Sequence, residues 1–174
     1  VSPDILHKSD VGGIRINIAD ETSLARAYDE MLDGVRQRMP GAAVWGVHIQ
    51  KMVPPGREVI IGVDRDPTFG PLLMFGLGGI YVEVLQDVTF RLCPVTHREA
   101  HEMLSEVRSF GLLRGARGQR PADLEALADI LVRVSVLASE TPEILELDLN
   151  PVIVGDVGQG AMAADVRIGI GGTA

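Results

Sequence analysis

The stretch "EILELDLNP" (residues 143–151) sets three oxygen-bearing side chains two residues apart, Glu146, Asp148 and Asn150. Residues two apart in a strand share a face, so these three point one way while Leu145, Leu147 and Leu149 point the other. Two readings fit such a row beside an apolar stripe. One is the solvated face of a half-buried strand. The other is a hard-cation site, because Mg²⁺ takes carboxylate and amide oxygens, keeps several waters and completes its shell with substrate phosphates. The later segment "AADVRI" brings Asp165 back across a hairpin, so a fourth oxygen donor converges on the same patch.

A second concentration of chemistry lies at the other end, in "SPDILHKSDVGG" (residues 2–13), where a frayed terminus is the ordinary expectation. His7 is either a structural or solvent-exposed histidine or a nucleophile. For the latter an imidazole needs one nitrogen free, the other held by an acceptor, and cations to offset phosphate charge. Lys8 and Mg²⁺ are the candidate cations. Between two expected strands, "MFGLGGIYVEV" carries Gly76, Gly78 and Gly79, which either let backbone N–H groups approach a phosphate or make a tight hairpin with positive φ. A strand follows where a dinucleotide fingerprint requires a helix. Arg91 alternates with Thr89 on an inner face, either paired with an acid or holding an anion. Glu58, just after the Pro54–Gly56 turn, reads as a surface strand residue or an acceptor for ribose hydroxyls.

The elements that must hold these groups follow from periodicity. "GGIRINIAD" alternates as a strand, and residues 21–39 place Leu24, Ala27, Tyr28, Met31, Leu32 and Val35 on one helical face. "AAVWGVHIQKMV" reads as a further strand. Then come "REVIIGVDRD", "GPLLMF", "GGIYVEVL" and "VTFRLCPV", spaced too closely for parallel crossovers. Thr96 and Glu99 form a capping box, Pro121 opens a second helix, and "EILELDLNPVIV" and "GAMAADVRIGI" close the chain as a hairpin. The expected fold is α+β with mixed or antiparallel sheets, in a small strand–helix–strand lobe (1–53) and a larger lobe (54–174).

The bulk composition narrows the partners. The chain has 174 residues, 46% hydrophobic and 23% charged, with a net charge of −8. That charge disfavours nucleic acid and anionic membrane. No run reaches the roughly 20 apolar residues of a membrane span, and no leader is visible. The single cysteine, Cys93, makes no internal disulfide and reads as a small buried hydrophobe, which fits a cytoplasmic protein.

Together, "SPDILHKSDVGGI", the run from "VHIQKMVPPGREV" through "VTFRLCPV", and "ELDLNPVIV" with "AADVRI" resemble the ATP-grasp domain of the NDP-forming acyl-CoA synthetases, the ADP-forming acetate–CoA ligase group related to succinyl-CoA synthetase. The resemblance implies an ATP-grasp fold, ATP or ADP as substrate, Mg²⁺, and CoA-binding and CoA-ligase domains or a subunit as partners, with an oligomer open. It places an adenine hinge at Gln50, Lys51, Met52 and Val53, with Glu58 close to the nucleotide. Metal ligands correspond to Asn150 and Asp165, assisted by Asp148 or Glu146, and phosphate handling to Arg91, Lys8, Gly76, Gly78 and Gly79. His7 matches a histidine that carries the phosphoryl group in this family, with Asp148 the candidate to orient or polarise its imidazole. Family members have a nucleotide-binding lysine before this point, so the chain reads as a piece of a longer polypeptide. Two other readings stand beside it: a ligand-sensing domain fused to a protein acetyltransferase, and an interaction module without nucleotide chemistry.

Overall fold

Val59, Ile61 and Val63 recur at every second position after the Pro54–Gly56 turn. In the computed structural model of the chain, which describes residues 1–5, 8, 10–79, 82, 84–116 and 118–171, they form the inward row of a central strand. The chain divides into two compact units, Val1–Met52 and Val53–Ala174.

The second unit is built on six strands: β1 (Arg57–Asp66), β2 (Gly70–Leu77), β3 (Val88–Leu92), β4 (Ile144–Val154), β5 (Ala161–Ala163) and β6 (Val166–Ile170). Their order is β3-β2-β1-β4, with β5 and β6 both paired along the far side of β4. Every pairing is antiparallel, so of the two expected arrangements the antiparallel one forms. Short turns dictate this. Between β1 and β2, for example, the Asp66 carboxylate accepts from Thr68 N (2.7 Å) and Phe69 N (2.8 Å). The stretch 78–85 was expected as a strand; Ile80, Tyr81 and Glu83 lie outside the described residues, and its other residues carry no strand.

The one long connection, from β3 to β4, carries helices α2 (His97–Glu106), α3 (Phe110–Leu113) and α4 (Leu124–Glu140). Thr96 and Glu99 close the expected capping box on α2. The last helix begins at Leu124 rather than Pro121, because Ala122 is held in a bridge to Asp156 and Asp123 caps the helix by accepting from Ala126 N. These helices cover one face of the sheet. Phe75, Ile61 and Leu73 from the strands meet Met103, Leu104, Leu113, Leu127 and Leu131 from the helices, all essentially sealed from water. Each such side chain contributes roughly 1.5–3 kcal/mol by its burial. No helix of the described residues is long and apolar enough to cross a membrane.

Two buried carboxylates tie the connections down. Asp123 also accepts from Gly158 N and Gly160 N, both at 2.9 Å, anchoring the β4–β5 turn to the start of α4. Asp87 accepts from Arg108 N (2.8 Å), Ser109 N (2.8 Å) and the Ser109 hydroxyl, anchoring the chain before β3 to the α2–α3 corner. The backbone N–H groups of Gly160 and Ala126 hold the Asp123 carboxyl below the ordinary 3.8. At Asp87 burial pushes upward, but Ser109 and the amides outweigh it and the net direction is again down. Depressed carboxylates stabilise the fold above their unfolded value, and that stability is lost as pH falls through the folded value. Thermal denaturation across pH 7 to 3 should therefore show a falling Tm in the acid range. Asp123→Asn should flatten that fall, whereas a wild-type-like acid slope in the variant would exclude the assignment.

In the first unit, helix α1 (Glu21–Arg38) forms where expected, with an Asp20–Ser23 capping box. The flanking stretches 12–20 and 42–53, expected as strands, carry none. Their alternate apolar residues Ile14, Ile16, Trp45 and Ile49 are exposed. A strand needs a neighbour to complete its ladder, and no such neighbour stands among the described residues of this unit. The small lobe therefore contains a helix without its two strands.

Candidate functional site

Register decides which face each polar residue of the sheet occupies. In an antiparallel sheet directly paired residues point the same way. One row runs Arg167–Asp148–Gly62–Met74–Phe90 across β6, β4, β1, β2 and β3, on the face away from α2–α4. The adjacent row, Leu147–Val63–Leu73–Arg91, faces the helices. Along β4, Glu146, Asp148 and Asn150 share the helix-free face, and Glu58 on β1 joins them, opposite Ile153. Leu147 and Leu149 point into the core as expected, but Leu145 does not: it is 48% exposed. A register shift between Ile144 and Glu146 inserts an extra residue there, and Ile144 takes the buried place instead.

The two strand ends of the acidic patch are tied together. Asn150 N donates to Asp165 O at 3.2 Å, while the Asp165 carboxylate accepts from Val166 N at 3.1 Å. Asp148 is partly buried, and desolvation raises its carboxyl above the ordinary 3.8. Arg167 opposes that rise, whereas Asp165 and Glu146 add to it. The Glu146 side chain lies over Gly169, in space that any side chain at that position would occupy. Among the described residues no three His, Cys, Asp or Glu side chains come together as a metal-holding group. The patch is all oxygen, carries excess negative charge and has few ligands close together. That donor set fits a Mg²⁺ ion that keeps waters and phosphate oxygens, and does not fit an all-protein cage.

Arg91 lies elsewhere. It sits on the helix-facing side and pairs with Glu106 of α2, the acid-paired alternative of the two open in the sequence. That pairing raises its already high pKa further. The sheet separates it from Asp148, so it takes no part in this site. Arg65, two residues after Val63, likewise faces the helices and donates to Ala138 O (2.6 Å) and Thr141 O (3.2 Å) at the end of α4 and to Ile144 O (2.8 Å) at the start of β4.

The glycines divide by role. Gly76 is paired within the sheet, and a Cβ there would stand 2.9 Å from Val88 Cγ1 and 3.0 Å from Val82 Cγ2. Gly78 donates its N–H to Glu58 O at 2.9 Å, so that amide is not free for a phosphate. Gly79 has φ +64°, but it lies in the connection 78–87 between β2 and β3, not in the tight hairpin expected there. Glu58 and Gly78 also line a shallow recess of about 240 Å³ with Arg57, Leu77, Leu112 and Gln119. Cys93 is half-buried, and burial pushes its thiol up to about 11, which removes it from nucleophilic chemistry at neutral pH.

In the first unit, His7 lies outside the described residues. Lys8 is exposed, and its carbonyl accepts from Gly13 N at 2.7 Å. A Cβ on Gly13 would stand 2.9 Å from that carbonyl oxygen, so the turn requires glycine there. Arg38, in the last turn of α1, holds the same turn through Val11 O at 2.9 Å. Gln50, Lys51 and Met52 are exposed and outside any strand, and Val53, at the start of the second unit, is partly buried. Sequence reasoning overlooked Arg167. Its signal was in "AADVRI", where aligning the expected hairpin sets the arginine beside Asp148.

Comparison with known proteins agrees with this geometry. The sequence family described as the ATP-grasp domain matches residues 1–170. Acetate–CoA ligase (ADP-forming) I of Archaeoglobus fulgidus is 54% identical over 171 residues, 98% of this chain and 24% of that protein. The β subunit of acetate–CoA ligase (ADP-forming) I of Pyrococcus furiosus is 49% identical over 168 residues, 97% of this chain and 72% of the subunit. A dinucleotide-forming acetyl-coenzyme A synthetase 1 of Candidatus Korarchaeum cryptofilum superposes with a TM-score of 0.86 at 42% identity, covering 98% of this chain and 73% of that one. That structure is a complex with coenzyme A and Mg-AMPPCP, its phosphohistidine segment pointing towards the nucleotide binding site. This chain spans only about a quarter of the first relative's length.

Proposed function

Since the chain belongs to the ATP-grasp domain family, we propose that it is the nucleotide-binding part of an ADP-forming acyl-CoA synthetase, an acid–thiol ligase interconverting acyl-CoA, ADP and phosphate with the free acid, CoA and ATP. The observation that carries this reading is the helix-free face of β4, where Glu146, Asp148 and Asn150 stand in one row and Asn150 is tied to Asp165. Asn150 and Asp165 are the direct ligands for Mg²⁺ in this reading, with Asp148 and Glu146 supplying further negative charge. When bound, the ion offsets the charge of the nucleotide phosphates. Glu58, exposed on the same face, is placed to accept ribose hydroxyls, and the segment Gln50–Val53 supplies backbone groups for the base edge.

His7 carries the phosphoryl group. Its imidazole nitrogen receives phosphorus from a phosphohistidine of the CoA-ligase part, forming one N–P bond as another breaks. It then yields the phosphoryl to a terminal oxygen of ADP: the N–P bond breaks, an O–P bond forms, and the nitrogen recovers its lone pair. Splitting one transfer into two in-line displacements is the advantage of a covalent carrier. CoA-binding and CoA-ligase parts, on the same polypeptide or on a separate subunit, complete the reaction, and the site of action is the cytoplasm.

The full-length protein tests this directly. With acetyl-CoA, Mg-ADP and phosphate it should form ATP and release CoA over many turnovers, each product dependent on all three substrates. Binding of Mg-ADP without ATP formation from any short or aromatic acyl-CoA would remove the enzymatic reading and leave a ligand sensor.

A further inference from the structure

The six strands of the second unit carry four arginines and no lysine: Arg57, Arg65, Arg91 and Arg167. Three of them face the helices, and each is engaged there. Arg57 bonds Asp156 at 3.2 Å and the Arg120 carbonyl, Arg65 bonds carbonyls at the end of α4 and the start of β4, and Arg91 pairs with Glu106. Arg167 is different. Its register partner is Asp148, so it stands on the helix-free face, exposed, and it makes no ion pair with any described acid. The strands give that face five acids, Glu58, Asp64, Asp66, Glu146 and Asp148, with Asp165 at its edge, against this one cation. A face so acidic repels a polyanion unless positive charge stands where the anion lies.

Resting on the nucleotide-binding reading above, we propose that Arg167 is the protein's own cation on this face for the terminal phosphates of the nucleotide, the role the sequence suggested for Arg91. Its place beside Asp148 and two residues beyond Asp165 brings a planar five-donor group to the edge of the oxygen patch. A guanidinium suits phosphate oxygens because its N–H groups match them in pairs. It therefore acts on the diphosphate or triphosphate and is indifferent to the base.

Calorimetry on the full-length protein separates the possibilities. Arg167→Gln should weaken Mg-ADP binding about ten- to hundredfold, as expected for a charge-assisted hydrogen bond, and leave adenosine binding unchanged. Arg167→Lys, which keeps the charge but not the fork, should recover most of the loss. Mg-ADP binding by Arg167→Gln equal to wild type, or equal losses for Mg-ADP and adenosine, would overturn the assignment while leaving the nucleotide site intact. Absence of Mg-ADP binding in the wild-type protein would instead overturn the reading beneath it.

Discussion

On the proposed relay, His7→Asn in the full-length protein is expected to lower ATP formation from acetyl-CoA, ADP and phosphate by at least about 10³-fold, because the proposed covalent carrier is removed altogether. Asparagine keeps a polar side chain of similar reach but has no basic nitrogen lone pair to form an N–P bond. The effect should be confined to transfer. Mg-ADP should still bind, since the proposed nucleotide contacts lie on the β4 face and its neighbours. Acyl-CoA-dependent phosphorylation of the CoA-ligase part should still occur, because it precedes the step proposed for His7. Wild-type protein given labelled phosphate and acetyl-CoA should carry acid-labile label on the peptide containing His7, and the variant should lose it there. Turnover within tenfold of wild type would show that the phosphoryl group reaches ADP by another route.

Asp148→Asn should raise stability and lower activity together. Desolvation raises the Asp148 carboxyl above 3.8, Asp165 and Glu146 push it further, and Arg167 only partly offsets them. A carboxyl raised on folding stabilises the fold below its unfolded value, and that contribution is lost as pH rises through the folded value. At neutral pH the ionised side chain therefore opposes folding, and the isosteric amide removes that opposition. Tm of the metal-free variant should exceed wild type at pH 7, with the difference closing as pH falls through the range where Asp148 protonates. Activity should move the other way. Weakening the negative patch proposed to face Mg²⁺ and the nucleotide should cost about 10²-fold in kcat/KM, the scale for losing one preorganised electrostatic partner, with a higher Mg²⁺ requirement. A variant no more stable than wild type, or one with unchanged Mg²⁺ dependence, would show that Asp148 is a solvated surface carboxylate.

Much of this site is readable in the sequence because its cause is local. Alternation along a strand is a property of consecutive residues, so the run itself sets Glu146, Asp148 and Asn150 on one face wherever no bulge interrupts it. The Thr96–Glu99 capping box and the short turns that force antiparallel pairing are local in the same sense. Relations between strands are of another kind. Whether Arg91 shares a face with Asp148 depends on the registers of three successive pairings, β3 to β2, β2 to β1 and β1 to β4, and a one-residue change in any of them reverses the answer. The extra residue at the start of β4 turned Leu145 outward by just such a step. The strands expected around α1 are the same lesson in reverse, since an alternating pattern prepares a face but only a hydrogen-bonded neighbour makes a strand. Sequence by itself determined the chemistry carried by each strand and the side on which each strand's own residues fall. Tertiary structure alone decided which strand faces meet, and so made Arg167, not Arg91, the arginine beside the acidic row, because register is set by pairing between distant segments and not by the order of residues within one.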